Sequence, residues 1–318
     1  MTLPKMHSIT KKMTVALLGG FLLIFLLFHM CANLMILKND GGDAYNAFCH
    51  FMGSNIIVKV LEIILLGIIA LHILLTLWLA ICNKMARPVG YHKTQKSKTH
   101  TTSKLMVWSG VLIFCALGLH FYDFYLVKMD VVKGEYMAYT ESLQDEEMSG
   151  FVQLVTQMQM DPEEMIAEIE QRTNMYAESE TEKEEAAQYI SGIRDKLEVM
   201  QIVSNAYSEG NISKDGKRIY KLTHDQRETI ESAFPNSKIE PDFYHIAWTK
   251  FKVWHIALCY LIFFAILFIH MLHAFPSAFQ TLGLNNYKYN RAIELCGRIY
   301  ACIICLGFAI IPIAIYLS

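Results

Sequence analysis

LLIFLLFHMCANLMIL, residues 22–37, is an apolar run with a single histidine, His29, set well inside it. The run lies within Met13–Leu37, which is longer than the about 20 residues that a helix needs to cross a bilayer. None of the apolar runs of this chain shows the strict alternation of barrel strands, and only helices or closed barrels satisfy their backbone in lipid. Four further runs of comparable length are Asn55–Cys82, Leu105–Val127, Val253–Phe275 and Gly297–Leu317. With a hydrophobic content of 53%, they predict an all-α membrane protein, a bundle of five transmembrane helices.

Charge is divided unevenly along the chain. Residues 131–248 carry 24 acidic against 11 basic side chains, a net charge of −13, whereas the remainder has a net charge of +11. The basic residues of that remainder concentrate before the first span, in the loop Lys84–Lys104 and around Lys288 and Arg291. These three places fall on one side of a five-span topology, which the positive-inside rule puts in the cytoplasm. We therefore expect helices one to three in residues 1–130, an acidic extracytoplasmic insert at 131–248 and helices four and five in residues 249–318.

The acidic insert has the sequence pattern of a small, mostly helical domain. Asp161-Pro-Glu-Glu164 is typical of a helix N-terminus, apolar residues at helical spacing run from Thr181 to about Tyr207, and Thr223-His-Asp-Gln226 matches a capping box. The insert contains no metal-ligand spacing, glycine-rich phosphate loop or nucleophile–base set. The charge run Glu178–Glu185 is typical of a solvated face, with a docking surface for an outside partner as the alternative.

Four consecutive spans each contain an embedded histidine. Polar groups in hydrocarbon are rare and normally functional, although a single membrane histidine can simply hydrogen-bond to a neighbouring helix. Imidazole ligates haem iron, and a bis-histidine site needs two rings that face each other from different helices. The four residues are His29, His72, His120 and His270, and the small residues near them, which would let a flat macrocycle approach the backbone, are Gly19, Gly20, Gly67, Gly118 and Ala274. The sequence therefore predicts two stacked haem b sites.

Depth in the membrane pairs these histidines. With a cytoplasmic N-terminus, His29 lies about 24 Å along the first span and so in its outer half, at about 1.5 Å per residue. The same count puts His120 in the outer half of the third span and His270 in the inner half of the fourth. His72 falls near the middle of the membrane and is assigned to His270 by elimination. The expected result is an outer site (His29, His120) and an inner site (His72, His270), which together would form a path for electrons.

Two further histidines of the fourth span leave alternatives open. His255 lies near the outer surface beside Trp254, about 60° from His270 around the helix, and could compete for the outer haem. His273 lies one turn from His270 and could replace it at the inner haem.

Four blocks around these histidines carry a resemblance to a known family. In chain order they read FLLFHMCANLMILKNDGGDAYNAF, LEIILLGIIALHILL, SGVLIFCALGLHFYDFY and FIHMLHAFPSAFQTLGLNN. They resemble the di-haem cytochrome b membrane anchor of succinate:quinone oxidoreductases, the cytochrome b subunit of succinate dehydrogenase or fumarate reductase, in its single-anchor five-helix type. With the last span, the resemblance covers nearly all of the chain outside the insert. It implies that the axial ligands are His29, His72, His120 and His270, with the same pairing, and it favours His270 over His273.

The resemblance also implies an activity and partners. The chain would be the non-flavin subunit of a succinate:quinone oxidoreductase enzyme in the bacterial inner membrane. A flavoprotein subunit, where succinate and fumarate interconvert, and an iron–sulfur subunit would sit on its cytoplasmic face. Electrons would pass through two haems b between the iron–sulfur clusters and a membrane quinone, for which menaquinone suits the family type. The loop Lys84–Lys104 either docks these subunits or only satisfies the positive-inside rule. We expect no nucleic-acid partner and leave a dimer of the complex open.

Quinone chemistry moves protons, so an acid near the outer haem is expected. The candidates are Glu62, at the outer end of the second helix, and Asp43 and Asp40, which could instead only shape the KNDGGD turn. The sequence departs from the family at Phe268, where some members carry a glutamate linked to transmembrane proton transfer, and in its long outer insert. Two other functions stay open: a cytochrome b anchor of another oxidoreductase, such as a hydrogenase or formate dehydrogenase, and a haem-free transporter whose histidines relay protons.

Overall fold

The structure is a computed structural model that describes residues 8–86, 101–143, 149–150, 153–154, 157–159, 161–176, 179–284 and 286–318. Most of the basic loop Lys84–Lys104, including the side chains of residues 101–104, lies outside the described residues, as does Glu178. The chain divides into two compact units. The membrane unit comprises Met1–Leu126 and Ala247–Ser318, and the insert unit comprises Val127–Ile246.

The main helices are α1 (Ser8–Asn33), α2 (Asp43–Ser54), α3 (Ile56–Met85), α4 (Thr101–His120), α5 (Pro162–Tyr176), α6 (Glu180–Ser208), α7 (His224–Ala233), α8 (Phe243–Phe251), α9 (Trp254–Thr281) and α10 (Asn290–Leu317). Within the described residues, five segments are long and apolar enough to cross a membrane. They are Ile9–Leu37, Ile56–Met85, Leu105–Lys128, Trp254–Thr281 and Asn290–Leu317. The prediction of a helical membrane protein with five spans is thereby confirmed.

α9 is the central helix of the membrane unit, because it packs against α1, α4 and α10. The contact with α10 is close at Gly297, where an added Cβ would lie 2.9 Å from the ring of Phe275, so a larger residue would force the helices apart. α10 is tied to α1 by the Tyr300 hydroxyl, which donates to the carbonyl of Leu23. α3 lies at the periphery and has no buried residue, as suits a helix whose surface faces lipid.

Helix α4 does not end as a regular α-helix. Phe121–Tyr125 forms a π-helical turn directly after His120, followed by one α-helical turn at Leu126–Lys128. Such turns are rare and occur frequently at functional sites. The turn changes the register of the C-terminal end of α4, and Asp123 is buried on it.

The segment after α1 turns sharply before α2. Gly41 and Gly42 have φ values of 73° and 93°, which favour glycine because a Cβ is strained there. The Asp40 carboxylate accepts hydrogen bonds from the amides of Gly42 (3.1 Å) and Ala44 (3.3 Å). It also pairs with Lys38 at 3.1 Å.

The insert unit combines helices with a small sheet. Strands β1 (Tyr136–Tyr139), β2 (Arg218–Leu222) and β3 (Ile239–Pro241) form an antiparallel sheet in the order β2-β1-β3. Its core includes Tyr136, Val199, Ile219, Leu222 and Ile230, all buried. The sequence patterns predict the helices of this unit, but they do not predict the sheet.

The helix boundaries of the insert unit follow their capping residues. Asp161 accepts from the amide of Glu163 at the start of α5, and Thr223 and Gln226 form the expected capping box at α7. The helix predicted to open at Thr181 begins at Glu180 instead, because Ser179 is its N-cap and forms a capping box with Glu182. α5 and α6 pack through a second cluster that contains Ile166, Ile190 and Ile193.

Candidate functional site

The first pair of embedded histidines meets between α1 and α4. The ring centroids of His29 and His120 lie 5.9 Å apart, with an angle of 81° between the ring planes. If both rings bound one metal ion, the two metal–nitrogen bonds of about 2 Å each would account for about 4 Å of the distance between the ring centroids. Two rings at this separation are therefore near the distance that two ligands of one iron require.

Aromatic rings surround this outer pair. Phe25 stacks on His29 at 5.2 Å, and Phe308 lies 5.7 Å from the same ring. Phe124 lies 5.2 Å from the ring of His120. These three aromatic rings give both imidazoles a largely apolar setting.

One amide connects His29 to its neighbours. Asn33 Nδ2 lies 3.3 Å from His29 Nδ1 and donates to the His29 carbonyl at 2.8 Å. Its Oδ1 accepts from the Tyr45 hydroxyl at 2.9 Å, which anchors the amide to α2. The amide nitrogen can only donate, so this contact restrains the His29 ring without supplying the acceptor for Nδ1–H that is typical of metal-ligating histidines. The sequence reasoning did not single out Asn33 or Tyr45, although an asparagine one turn after an embedded histidine was a usable signal.

The second pair, His72 and His270, comes from α3 and α9, and the two side chains lie within electrostatic range of each other. Ser109 of α4 is buried, and its Oγ lies 3.1 Å from His270 Nδ1. The same hydroxyl donates its only proton to the Met106 carbonyl at 3.0 Å, so its oxygen accepts from Nδ1–H of His270. That tautomer leaves the lone pair of His270 on Nε2, the nitrogen that can bind a metal.

His72 hydrogen-bonds to the backbone of Val15, but one of its ring nitrogens lacks a partner. Its Nδ1 is buried and has no hydrogen-bond partner among the described residues. Gly19 of α1 faces the ring, and a Cβ added there would lie 3.4 Å from His72 Cε1. Gly110 of α4 faces His270 in the same way, at 3.7 Å from its Cε1. The small residues next to the inner pair are thus Gly19, as predicted from sequence, and Gly110, which was missed.

The other glycines singled out in the sequence border open space. A Cβ added at Gly20, Gly67 or Gly118 meets no described atom within 4 Å. These positions therefore do not press against either histidine pair, but they leave the backbone accessible to a flat group or to lipid.

The two competing histidines have different settings. His255 is exposed at the start of α9, and its ring contacts Trp254 at 5.7 Å edge to face. The structure thus brings His120, rather than His255, to the ring of His29. His273 lies within electrostatic range of His270, on the same helix.

The three candidate acids are held in different ways. Glu62 hydrogen-bonds to Tyr125 on the π-helical turn, near the outer end of α4. Asp40 lies in the turn before α2. Its burial raises the pKa of the carboxyl, but the hydrogen bond from Lys38 and those from the backbone have the larger effect, and the pKa is lowered. Asp43 occupies the first turn of α2, where the positive end of the helix dipole stabilises a carboxylate. Glu62 thus contacts the turn that follows His120.

A fourth acid was missed. Asp123 is 3% exposed, and it accepts from Lys250 Nζ at 2.9 Å and from the Tyr260 hydroxyl at 3.0 Å. The available signal was an aspartate embedded in an apolar span one turn after His120. Its lysine partner could not be inferred, because it belongs to a helix on the other side of the insert.

The donor set can hold a haem but not a metal bound by the protein alone. Among the described residues, no three His, Cys, Asp or Glu side chains converge as such a metal site requires. Haem iron needs only two axial ligands from the protein, and neutral imidazoles in apolar surroundings are suitable. The rings of His29 and His120 meet this requirement, with their centroids 5.9 Å apart. In comparisons with known proteins, no protein-family model, no curated protein and no solved structure matches the chain.

Proposed function

We propose that this chain is a di-haem cytochrome b membrane anchor that carries electrons between a soluble redox partner and a membrane quinone. The observation that carries the proposal is the pairing of four embedded histidines from four spans. His29 meets His120 at 5.9 Å, and His72 lies within electrostatic range of His270. A structural role for one membrane histidine is ordinary, but two convergent pairs are not needed to hold five helices together.

The residues present fit two haems b. His29 and His120 would hold the outer group, and His72 and His270 the inner one. Each haem, when bound, would supply a one-electron redox centre. Of the chain's own groups, Ser109 holds His270 in the tautomer that exposes Nε2, and Asn33 contacts the His29 ring. The buried Nδ1 of His72, which has no hydrogen-bond partner among the described residues, would be satisfied if that nitrogen bound a ligand.

The proposed complex is succinate dehydrogenase or fumarate reductase in a bacterial inner membrane. Its flavoprotein and iron–sulfur subunits would bind on the cytoplasmic side, with the basic loop Lys84–Lys104 as one contact. The N-terminus would then be cytoplasmic and residues 131–248 extracytoplasmic, as the positive-inside rule predicts. The family resemblance supports this choice over an anchor for a hydrogenase or a formate dehydrogenase.

Quinone reduction or oxidation at the outer end also needs a group that exchanges protons. Glu62 is the leading candidate, because it hydrogen-bonds to Tyr125 on the turn next to His120. Menaquinone is the expected quinone. Asp40 and Asp43 are weaker candidates, since Asp40 already caps a turn and pairs with Lys38.

The decisive experiment is purification of the native complex from its membrane, with identification of its subunits and its haem. We expect a reduced b-type absorption spectrum, two haems per chain, and a flavoprotein and an iron–sulfur protein in the same preparation. Absence of haem would contradict the proposal and favour a transporter with a histidine relay. Haem together with a hydrogenase or formate dehydrogenase subunit would keep the electron path and reject the succinate assignment.

A further inference from the structure

An ion pair is buried beside the outer histidines. Asp123 lies on the π-helical turn Phe121–Tyr125, and its side chain is 3% exposed. Its two oxygens have separate partners: Oδ1 lies 2.9 Å from Lys250 Nζ, and Oδ2 accepts from the Tyr260 hydroxyl at 3.0 Å. The Lys250 side chain is one-third exposed, at 33%, so only the carboxylate side of this pair is fully buried.

This arrangement is a poor way to stabilise a helix bundle. Removing the Asp123 carboxylate from water is costly, and its attraction to a partly exposed ammonium often only offsets that cost. An apolar pair of similar volume would serve packing as well or better. Charges inside membrane spans are rare and normally mark a functional path. The pair therefore calls for a role other than packing.

The cluster reaches the outer site in two ways. The ring of Tyr260 meets the ring of His120 at 6.4 Å and 74°, edge to face. Asp123 holds the far end of that tyrosine, so it determines where the ring rests against the imidazole. Asp123 also interacts electrostatically with His120 through apolar surroundings, where charges are weakly screened.

We propose that Asp123, Lys250 and Tyr260 are positioning residues of the outer site, which balance the charge near the iron held by His120 and fix the orientation of its imidazole. This inference rests on the proposed di-haem function. A positive charge nearby stabilises the reduced iron, and a negative charge stabilises the oxidised iron. The intact pair is close to neutral, so each half on its own would move the reduction potential of the outer haem in the opposite direction.

The test is a redox titration of the two haems in the purified complex, followed by their absorption. Asp123→Asn leaves the Lys250 ammonium unbalanced and is expected to raise the midpoint potential of the outer haem. Lys250→Met leaves the carboxylate unbalanced and is expected to lower it. The second shift is measured at alkaline pH, because a buried carboxyl without a partner tends to bind a proton. The double variant Asp123→Asn with Lys250→Met is expected to return the potential close to that of the wild type.

Lys252→Met is the matched charge control. Lys252 lies two residues after Lys250, but it is exposed, so its charge is screened by solvent. It is expected to leave both potentials unchanged. Tyr260→Phe keeps the ring but removes the hydroxyl, and is expected to change the electron paramagnetic resonance signal of the outer ferric haem alone.

Three results would overturn the inference: an unchanged outer potential in Asp123→Asn, a rise in Lys250→Met, or equal shifts at both haems. If Asp123→Asn does not fold, the sign of the shift in Lys250→Met and the double variant still decide. A wild-type complex that contains no haem would instead reject the proposed function itself, so the two failures are distinct.

Discussion

An ion pair of the membrane unit and an ion pair of the insert unit differ sharply in exposure. In the membrane unit, the Asp123 carboxylate is 3% exposed and bonded to both Lys250 and Tyr260. In the insert unit, the pair Arg194–Glu170 has side chains that are 50% and 49% exposed. Transfer of a charge from water is costly, so a buried pair persists only where it serves a purpose, whereas an exposed pair costs and contributes little.

A polar residue is most informative about function where it is embedded in an apolar span. The embedded histidines and Asp123 carry the functional proposals, although they are few. The insert unit has most of the acidic residues of the chain, and its described ion pairs range from the exposed Arg194–Glu170 to the buried Asp242–His245. Substitutions of the embedded histidines should therefore change cofactor binding, and substitutions of exposed charges in the insert unit should change stability slightly.

The largest effect is expected from the ligands. His29→Ala or His120→Ala should remove the outer haem and spare most of the inner one, because each iron would lose an axial ligand from one pair only. His72→Ala or His270→Ala should do the converse. Haem content and the absorption spectrum of each purified variant measure this. Equal loss of both haems from any one substitution would break the pairing.

A smaller effect on haem binding is expected from the Ser109 hydroxyl, which contacts His270 Nδ1. Ser109→Ala removes the acceptor for Nδ1–H, and loss of such a partner typically weakens metal affinity by about 10–100-fold. Haem retention during dilution in detergent would measure the loss at the inner site. Ser109→Thr retains a hydroxyl and should restore much of the affinity. Equal retention in the alanine variant and the wild type would show that Ser109 does not position the ligand.

A pH effect is expected in the insert unit. The hydrogen bond from Arg227 holds the pKa of Asp130 below its ordinary value of 3.8. Because the folded pKa is the lower one, this contribution to stability is present above pH 3.8 and is lost as the pH falls through the folded value. Thermal unfolding of the whole chain at several acidic pH values would detect it.

Arg227→Met is the control for that measurement, because it removes the partner of Asp130 while the carboxyl stays. The variant should lose this part of the dependence of stability on pH. If its acid sensitivity equals that of the wild type, the Asp130–Arg227 pair does not contribute.

The smallest effect is expected from the exposed pair on α5 and α6. Arg194→Met should change the free energy of unfolding by about 0–1 kcal/mol, since exposed ion pairs contribute little. Its neighbour Ile193 is buried in the cluster with Ile166 and Ile190, so Ile193→Ala should cost about 2–5 kcal/mol. Denaturant unfolding of both variants compares the two. If Arg194→Met lowered the free energy of unfolding more than Ile193→Ala, the proposed contrast between an exposed ion pair and a buried apolar residue would be wrong.

The site was partly accessible from the sequence. An embedded histidine is recognisable wherever it interrupts a long apolar run, so all four candidate ligands could be named and paired by depth. Their supporting residues could not. Ser109 lies next to His270 in space but on a different helix, and an ordinary serine in a span carries no signal of its contact. Gly110 was missed for the same reason.

The sequence by itself determined the five spans and the charge asymmetry, because hydropathy and charge are properties of contiguous residues and the bilayer sets the length of a span. It also determined the capped helices of the insert unit, since caps are local. Only the tertiary structure decided the sheet of that unit, whose strand β1 pairs with two strands far along the chain. The same holds for the contact of Asp123 with Lys250 and Tyr260, which joins residues on either side of the insert. Such contacts depend on how helices pack and on the π-helical turn after His120, and neither is written in a local pattern.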